Sequence, residues 1–177
     1  MLGTRLTACA TAMNLLLILV SLVASATARA EIASEMPDAA PLFAATLSDA
    51  QDRPFALDSL RGKPLVINFW ARWCGPCRVE IPELARVQRH LKEKGLIVVG
   101  IGLEDKADTV REFAKAYEMD YTVLLAKDQG LPLLRALGNA KGGLPYTLVV
   151  DHSGKVVAKK LGLMSRAELE AALAALF

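Results

Sequence analysis

A chain of 177 residues, 53% hydrophobic and 23% charged, has room for one ordinary globular domain and an extra apolar segment. That balance excludes a disordered tail protein, a collagen-like fibre and a multi-span membrane protein. Lys and Arg number 21 against 19 Asp and Glu, and setting aside Arg5 and Arg29 in residues 1–30 leaves 19 against 19, so no basic excess remains to hold a nucleic-acid backbone.

Arg5 precedes an uncharged stretch from Leu6 to Ala28, most apolar over Leu15 to Val20, and small residues lead to Ala28-Arg29-Ala30. A short positive start, an apolar centre and an Ala-x-Ala exit are the parts of a secretory signal peptide. Cleavage is expected after Ala30, or after Ala28. The run is also long enough to stay as an uncleaved membrane anchor. Leu6-Thr7-Ala8-Cys9 has the letters of a lipoprotein box, but a lipidated Cys should follow the apolar run and Cys9 precedes it. Residues 31–40, with Pro37 and the adjoining Pro41, lack periodicity and read as a flexible leader. Residues 41–177 form the domain.

Within it, Leu42 to Leu47 and Phe55 to Leu57 read as two short strands around a polar turn, an N-terminal β-hairpin. Ser59 to Lys63 is a turn. Leu65-Val66-Ile67-Asn68-Phe69-Trp70 is a buried-type strand. A helix is expected from Pro76 to Lys94, kinked by Pro82. Leu96 to Leu103 is a second buried strand. A helix from Asp108 to Glu118 puts Val110, Phe113, Ala114 and Tyr117 on one face. Thr122 to Ala126 is a short strand and Leu131 to Leu137 a brief helix. Thr147 to Val150 and Lys155 to Leu161 are strands joined by the tight turn Asp151-His152-Ser153-Gly154. Ser165 caps a last helix through Leu176, with Glu168 completing a capping box. Strands alternating with helices imply a mostly parallel central sheet, to which the last hairpin adds antiparallel strands. The fold class is α/β.

The chemistry-bearing motif is Trp73-Cys74-Gly75-Pro76-Cys77, at a strand-to-helix junction. Cys74 falls at the helix N-terminus, where unpaired N–H groups and the helix dipole favour a thiolate. Cys77 lies one turn on, within bonding reach of Cys74. The pair can attack a foreign disulfide through Cys74 and resolve the mixed disulfide through Cys77. Other readings of the pair compete. A zinc site needs two more ligands, and His90 and His152 have no usable spacing. A structural disulfide across two residues adds little loop entropy. A two-cysteine peroxidase wants its thiols far apart.

The segment Val66 to Arg78 resembles the active-site region of thioredoxin, and the domain is similar to the exported thiol–disulfide reductase branch (TlpA, ResA and DsbE-like proteins). That branch is suggested by Glu80-Ile81-Pro82, the N-terminal hairpin and the signal. The resemblance implies a thioredoxin-like fold, a central mixed sheet flanked by helices. In Gly143-Leu144-Pro145-Tyr146-Thr147 it implies a cis-proline, Pro145, set against the two cysteines. Pro145 would keep metal from the thiols and leave the Leu144 backbone free to pair with an extended substrate. Trp73 would cover the surface beside Cys74, with Gly75, Pro76 and Leu144 completing the substrate-contacting set; Trp70 reads as core. Where thioredoxin carries a buried proton-relaying Asp, this chain has Asn68. A carboxylate stands instead at Glu80, expected to be half buried, to resist ionising and to take the proton of Cys77; the plainer reading is a solvent-facing Glu. Lys159, Lys160, Arg86 and Arg89 read as solvated.

The expected function is thiol–disulfide exchange in the periplasm, mainly as a reductant, because Gly-Pro between the cysteines is thioredoxin's dipeptide. A monomer without cofactor or metal is expected. The resemblance implies protein disulfide substrates, apocytochrome c or a copper-site protein among them, and recharging by a membrane electron donor of DsbD or CcdA type. The alternatives are a disulfide oxidant or isomerase, and a copper(I)-binding module using the same cysteines.

Overall fold

The sheet is built around Leu65–Trp70 (β3), every residue of which is buried. A strand apolar on both faces must be covered on both. The computed structural model describes residues 36–104, 106–174 and 176–177. The expected signal peptide, residues 1–30, and residues 31–35 of the expected leader lie outside these. Among the described residues no helix is long and apolar enough to cross a membrane.

The strands are Thr46–Asp49 (β1), Pro54–Ala56 (β2), β3, Ile97–Gly102 (β4), Thr122–Leu125 (β5), Tyr146–Val150 (β6) and Val156–Leu161 (β7). The helices are Ala40–Ala44 (α1), Gly75–Leu91 (α2), Ala107–Ala116 (α3), Gly130–Ala136 (α4) and Arg166–Ala174 (α5), with 3₁₀ turns at Leu57–Leu60, Lys92–Lys94 and Lys127–Gln129. One seven-stranded sheet has the order β2-β1-β5-β4-β3-β6-β7.

The sheet is mixed rather than mostly parallel. Only β4 runs parallel to both its neighbours, while the β1–β2, β1–β5, β3–β6 and β6–β7 pairs are antiparallel. A parallel return needs a crossover that carries the chain back along the sheet. The connection through the short α4 does not carry the chain back along the sheet, and β6 re-enters from the end at which β5 leaves. Tyr146 consequently pairs with Phe69 at the C-terminal end of β3.

The hairpin is present but shorter than expected. Leu42, Phe43 and Ala44 are helical, not extended, with Pro41 in the first turn, where its missing N–H costs nothing. Ala39, assigned to the leader, is buried. Helix α2 continues through Pro82 without a break and buries Cys77, Glu80, Ile81, Leu84 and Val87 at helical spacing. The capping box forms: Glu168 accepts from the Ser165 N–H at 2.8 Å and donates its own N–H to Ser165 Oγ at 3.3 Å.

Two apolar clusters occupy the α2 face of the sheet. One joins Val66, Leu84, Val98, Val149 and Leu173. The other joins Trp70, Ile81, Val110, Met119 and both cysteines of the motif. Phe113 and Tyr117 are half-buried rather than core, forming a stack with Trp70: Trp70–Phe113 at 4.9 Å and Phe113–Tyr117 at 4.3 Å.

Candidate redox site

Strand β3 ends at Trp70 and the chain turns at once into α2. The Trp70 carbonyl accepts from Leu103 N–H and the Ala71 carbonyl from Cys74 N–H. Arg72 donates its backbone N–H to Glu104 Oε1 at 2.9 Å, tying this turn to the loop after β4. Cys74 is the N-cap of α2, and its Sγ accepts the Cys77 N–H at 3.2 Å. Cys74 and Cys77 are joined by a disulfide, their Cα atoms 5.3 Å apart.

The two sulfurs differ in access. Cys74 is 5% exposed and Cys77 fully buried. Cys74 is thus less open than a solvent-facing nucleophile would be, yet an incoming thiolate can reach it and not Cys77. Trp73, 71% exposed, stands on the surface beside it, with Gly75 and Pro76 also exposed.

The second wall comes from the loop before β6. The Leu144–Pro145 peptide bond is cis. Leu144 packs against the cluster that contains both cysteines. Its N–H and carbonyl have no hydrogen-bond partner among the described residues. The neighbouring groups are occupied: Pro145 carbonyl accepts from Gly162 N–H at 2.8 Å. Gly143 is held on both sides by the buried Asn139, which donates to its carbonyl at 2.8 Å and accepts its N–H at 3.2 Å. This leaves Leu144, at a bend in the chain, with both backbone groups unpaired among the described residues and its side chain against the cluster that holds the disulfide.

A buried chain of polar side chains reaches Glu80, one turn along α2 from Cys77. Asn68 and Thr147 are cross-strand partners on β3 and β6. Asn68 Nδ2 donates to Thr147 Oγ1 at 2.9 Å, and Thr147 Oγ1 donates to Glu80 Oε1 at 2.8 Å. Glu80 is 1% exposed, more deeply buried than the sequence implied. Burial pushes its carboxyl up to about 7; the Thr147 hydroxyl and, more weakly, the Met164 backbone and Asn68 amide pull it down. Glu80 Oε2 has no full hydrogen bond among the described residues. One turn along α2 from Cys77, a carboxyl poised near neutrality can hold or release a proton in the pH range where thiols exchange.

Asn139, Thr147 and Glu104 were not singled out as site residues from the sequence. Asn139 carries only a weak signal, an Asn after the Gly that ends a helix. Among the described residues no group of three His, Cys, Asp or Glu is placed to hold a metal ion. Arg86, Arg89 and Lys160 make surface ion pairs with Glu83, Asp120 and Glu168.

A disulfide with one approachable sulfur, seated where the central strand enters its helix, is a redox centre, and the molecule around it is a thiol–disulfide oxidoreductase of thioredoxin-like fold. The chain belongs to the AhpC/TSA family, whose model matches residues 36–159. It is 33% identical over 135 residues to the thiol-disulfide oxidoreductase ResA of Bacillus subtilis, covering 76% of this chain and 72% of the relative. A thiol:disulfide interchange protein of the thioredoxin family from Chlorobium tepidum matches in structure with a TM-score of 0.64 at 32% identity, over 75% of this chain and 92% of that one. A secreted Mycobacterium tuberculosis disulfide oxidoreductase, described as homologous to E. coli DsbE, superposes with a TM-score of 0.65 at 26% identity, over 76% and 97%.

Proposed function

We propose that the chain is an exported reductant of protein disulfides, released into or anchored at the periplasm. The observation that carries this reading is the pairing of an approachable Cys74 with the free Leu144 backbone beside it. An extended client strand pairs with Leu144 and brings its own disulfide onto the reduced Cys74. The Cys74 thiolate attacks one client sulfur and the other client sulfur leaves as a thiolate. Cys77 then loses its proton to Glu80 and attacks Cys74, closing the Cys74–Cys77 disulfide and releasing the second client thiolate. Two electrons have passed to the client. A DsbD- or CcdA-type membrane donor returns them. Gly75 and Pro76 support the reductant direction, since thioredoxin shares them and lies at about −270 mV against about −120 mV for the oxidant DsbA.

Apocytochrome c and copper-site proteins are the clients that the resemblance to ResA and DsbE supports. The test is trapping: Cys77→Ala, expressed with its signal segment, should accumulate mixed disulfides on Cys74 that dithiothreitol dissolves. Mass spectrometry then names the clients. Absence of any dithiothreitol-sensitive adduct in the exported fraction refutes the reading.

A further inference from the structure

The short loop from Gly162 to Ser165, between β7 and α5, lies against Glu80. Met164 of this loop is buried in the cluster of Leu84, Val149 and Leu169, and its backbone faces the Glu80 carboxyl. The loop is fastened at both ends. At its start Gly162, at φ +87°, donates its N–H to the Pro145 carbonyl at 2.8 Å. At its end is the capping box. Glu168 Oε2 accepts from the Ser165 N–H at 2.8 Å and from the Ser165 hydroxyl at 2.7 Å, and the Glu168 N–H donates to Ser165 Oγ at 3.3 Å.

A capping box needs only these two residues, but here its carboxylate is also tied to the sheet. Glu168 Oε1 accepts from Lys160 Nζ at 2.6 Å. Lys160 stands opposite Thr147 in the β6–β7 pair, and the Thr147 hydroxyl donates to Glu80. Directly opposite residues share one face of an antiparallel pair. Lys160 therefore ties the start of α5 to the strands that hold Glu80.

We infer that the Ser165–Glu168 box, tied to β7 by Lys160, latches the loop that covers Glu80, and that Glu168 is a positioning residue for the Glu80 proton. This rests on the role of Glu80 in resolution proposed above. Two effects act in one direction. The closed loop keeps solvent from Glu80, and a desolvated carboxyl resists ionising. The charge of Glu168 also disfavours a second negative charge at Glu80. Both raise the pH at which Glu80 becomes a base and strengthen that base once it forms. Glu168 is held ionised down to about 2 by Lys160 and Ser165, so its charge is constant near neutrality. The other groups around Glu80 hold their charge there too. Tyr121, before β5, is kept neutral by burial. Glu83 on α2 is paired with Arg86, and Arg166 on α5 with Glu170. The Cys74–Cys77 disulfide does not titrate.

The test uses oxidised protein labelled with ¹³C at glutamate. It follows the Glu80 carboxyl resonance, assigned by its loss in Glu80→Gln, against pH. The wild-type midpoint should lie at about 7. Glu168→Gln keeps an acceptor for Ser165 but removes the charge, and should lower the midpoint by about 0.5 pH unit or more. Ser165→Ala leaves the charge and opens the box, and should lower the midpoint by a smaller amount. Ser165→Thr retains a capping hydroxyl and should keep the wild-type value. A box that only stabilises its helix would cost stability in these variants and leave the midpoint in place. A midpoint unchanged or raised in Glu168→Gln or in Ser165→Ala, or as low in Ser165→Thr as in Ser165→Ala, overturns the inference. The pH profile for release of the second client thiol is read in parallel and should shift down with the midpoint in Glu168→Gln. A release profile that stays fixed while the midpoint falls would refute the role of Glu80 in resolution and leave the latch standing.

Discussion

Glu80 makes the protein's stability depend on pH in a direction opposite to that of most paired carboxylates. In the unfolded chain its carboxyl titrates near 4.5, and in the folded protein near 7. Between those values the native state holds a proton that the unfolded state has released, so raising the pH favours unfolding. The stability is complete below about 4.5 and the loss is complete above about 7. At about 1.4 kcal/mol for each tenfold change in proton affinity, the loss amounts to roughly 3 kcal/mol. Gln at position 80 keeps the acceptor for Thr147 but has no charge to desolvate. Glu80→Gln should therefore gain on the wild type by roughly 2–3 kcal/mol between pH 5 and pH 8. For a domain of this size that is on the order of 10 °C in Tm. The assay is urea unfolding of both oxidised proteins at intervals from pH 5 to 8. Taking the difference cancels every group that the substitution leaves undisturbed. A difference that stays flat across the range would show that Glu80 does not titrate there and refute the argument.

Kinetically, Glu80→Gln should slow release of the second client thiol by about 10²-fold, the lower end of general acid–base effects. Attack by Cys74 should be less affected; stopped-flow Trp fluorescence separates the two steps, and equal rates with an unchanged pH profile would make Glu80 a structural residue only. Cys74→Ser should abolish insulin reduction while circular dichroism remains native, and more than trace activity would remove Cys74 as nucleophile. Equilibration with glutathione should place the potential nearer thioredoxin's than DsbA's, and a value above about −180 mV contradicts the reductant direction. Asn139→Ala should cost about 1–3 kcal/mol, because it frees both Gly143 backbone groups inside the loop. It should raise KM for a protein disulfide more than it lowers kcat, and a loss confined to kcat would mean that Asn139 does not position the Leu144 edge.

The redox pair was legible in the sequence because its parts are local. A six-residue apolar strand, Cys74 at a helix start and Cys77 one turn later are separated by a few residues, and strand period, helix period and capping set their geometry. The capping box at Ser165 was readable for the same reason. Local patterns also misled. Leu42 to Ala44 look like the start of a strand, but Pro41 and the packing of Leu42 and Phe43 make a helical turn. The strand directions were not legible, since alternating strands and helices do not reveal that the chain enters β6 antiparallel to β3. That reversal brings Leu144 against the cluster that holds both cysteines and sets Thr147 opposite Asn68, 79 residues apart in sequence. The depth of Glu80 was likewise beyond a one-helix reading. A Glu at that spacing can face water or the core, and only β3, β6 and the loop before α5 closing over it remove the water that would keep its carboxyl ordinary. The thiols' chemistry thus belongs to the sequence, whereas the state of the proton beside them is decided by the tertiary fold, because desolvation depends on every element that packs around a charge.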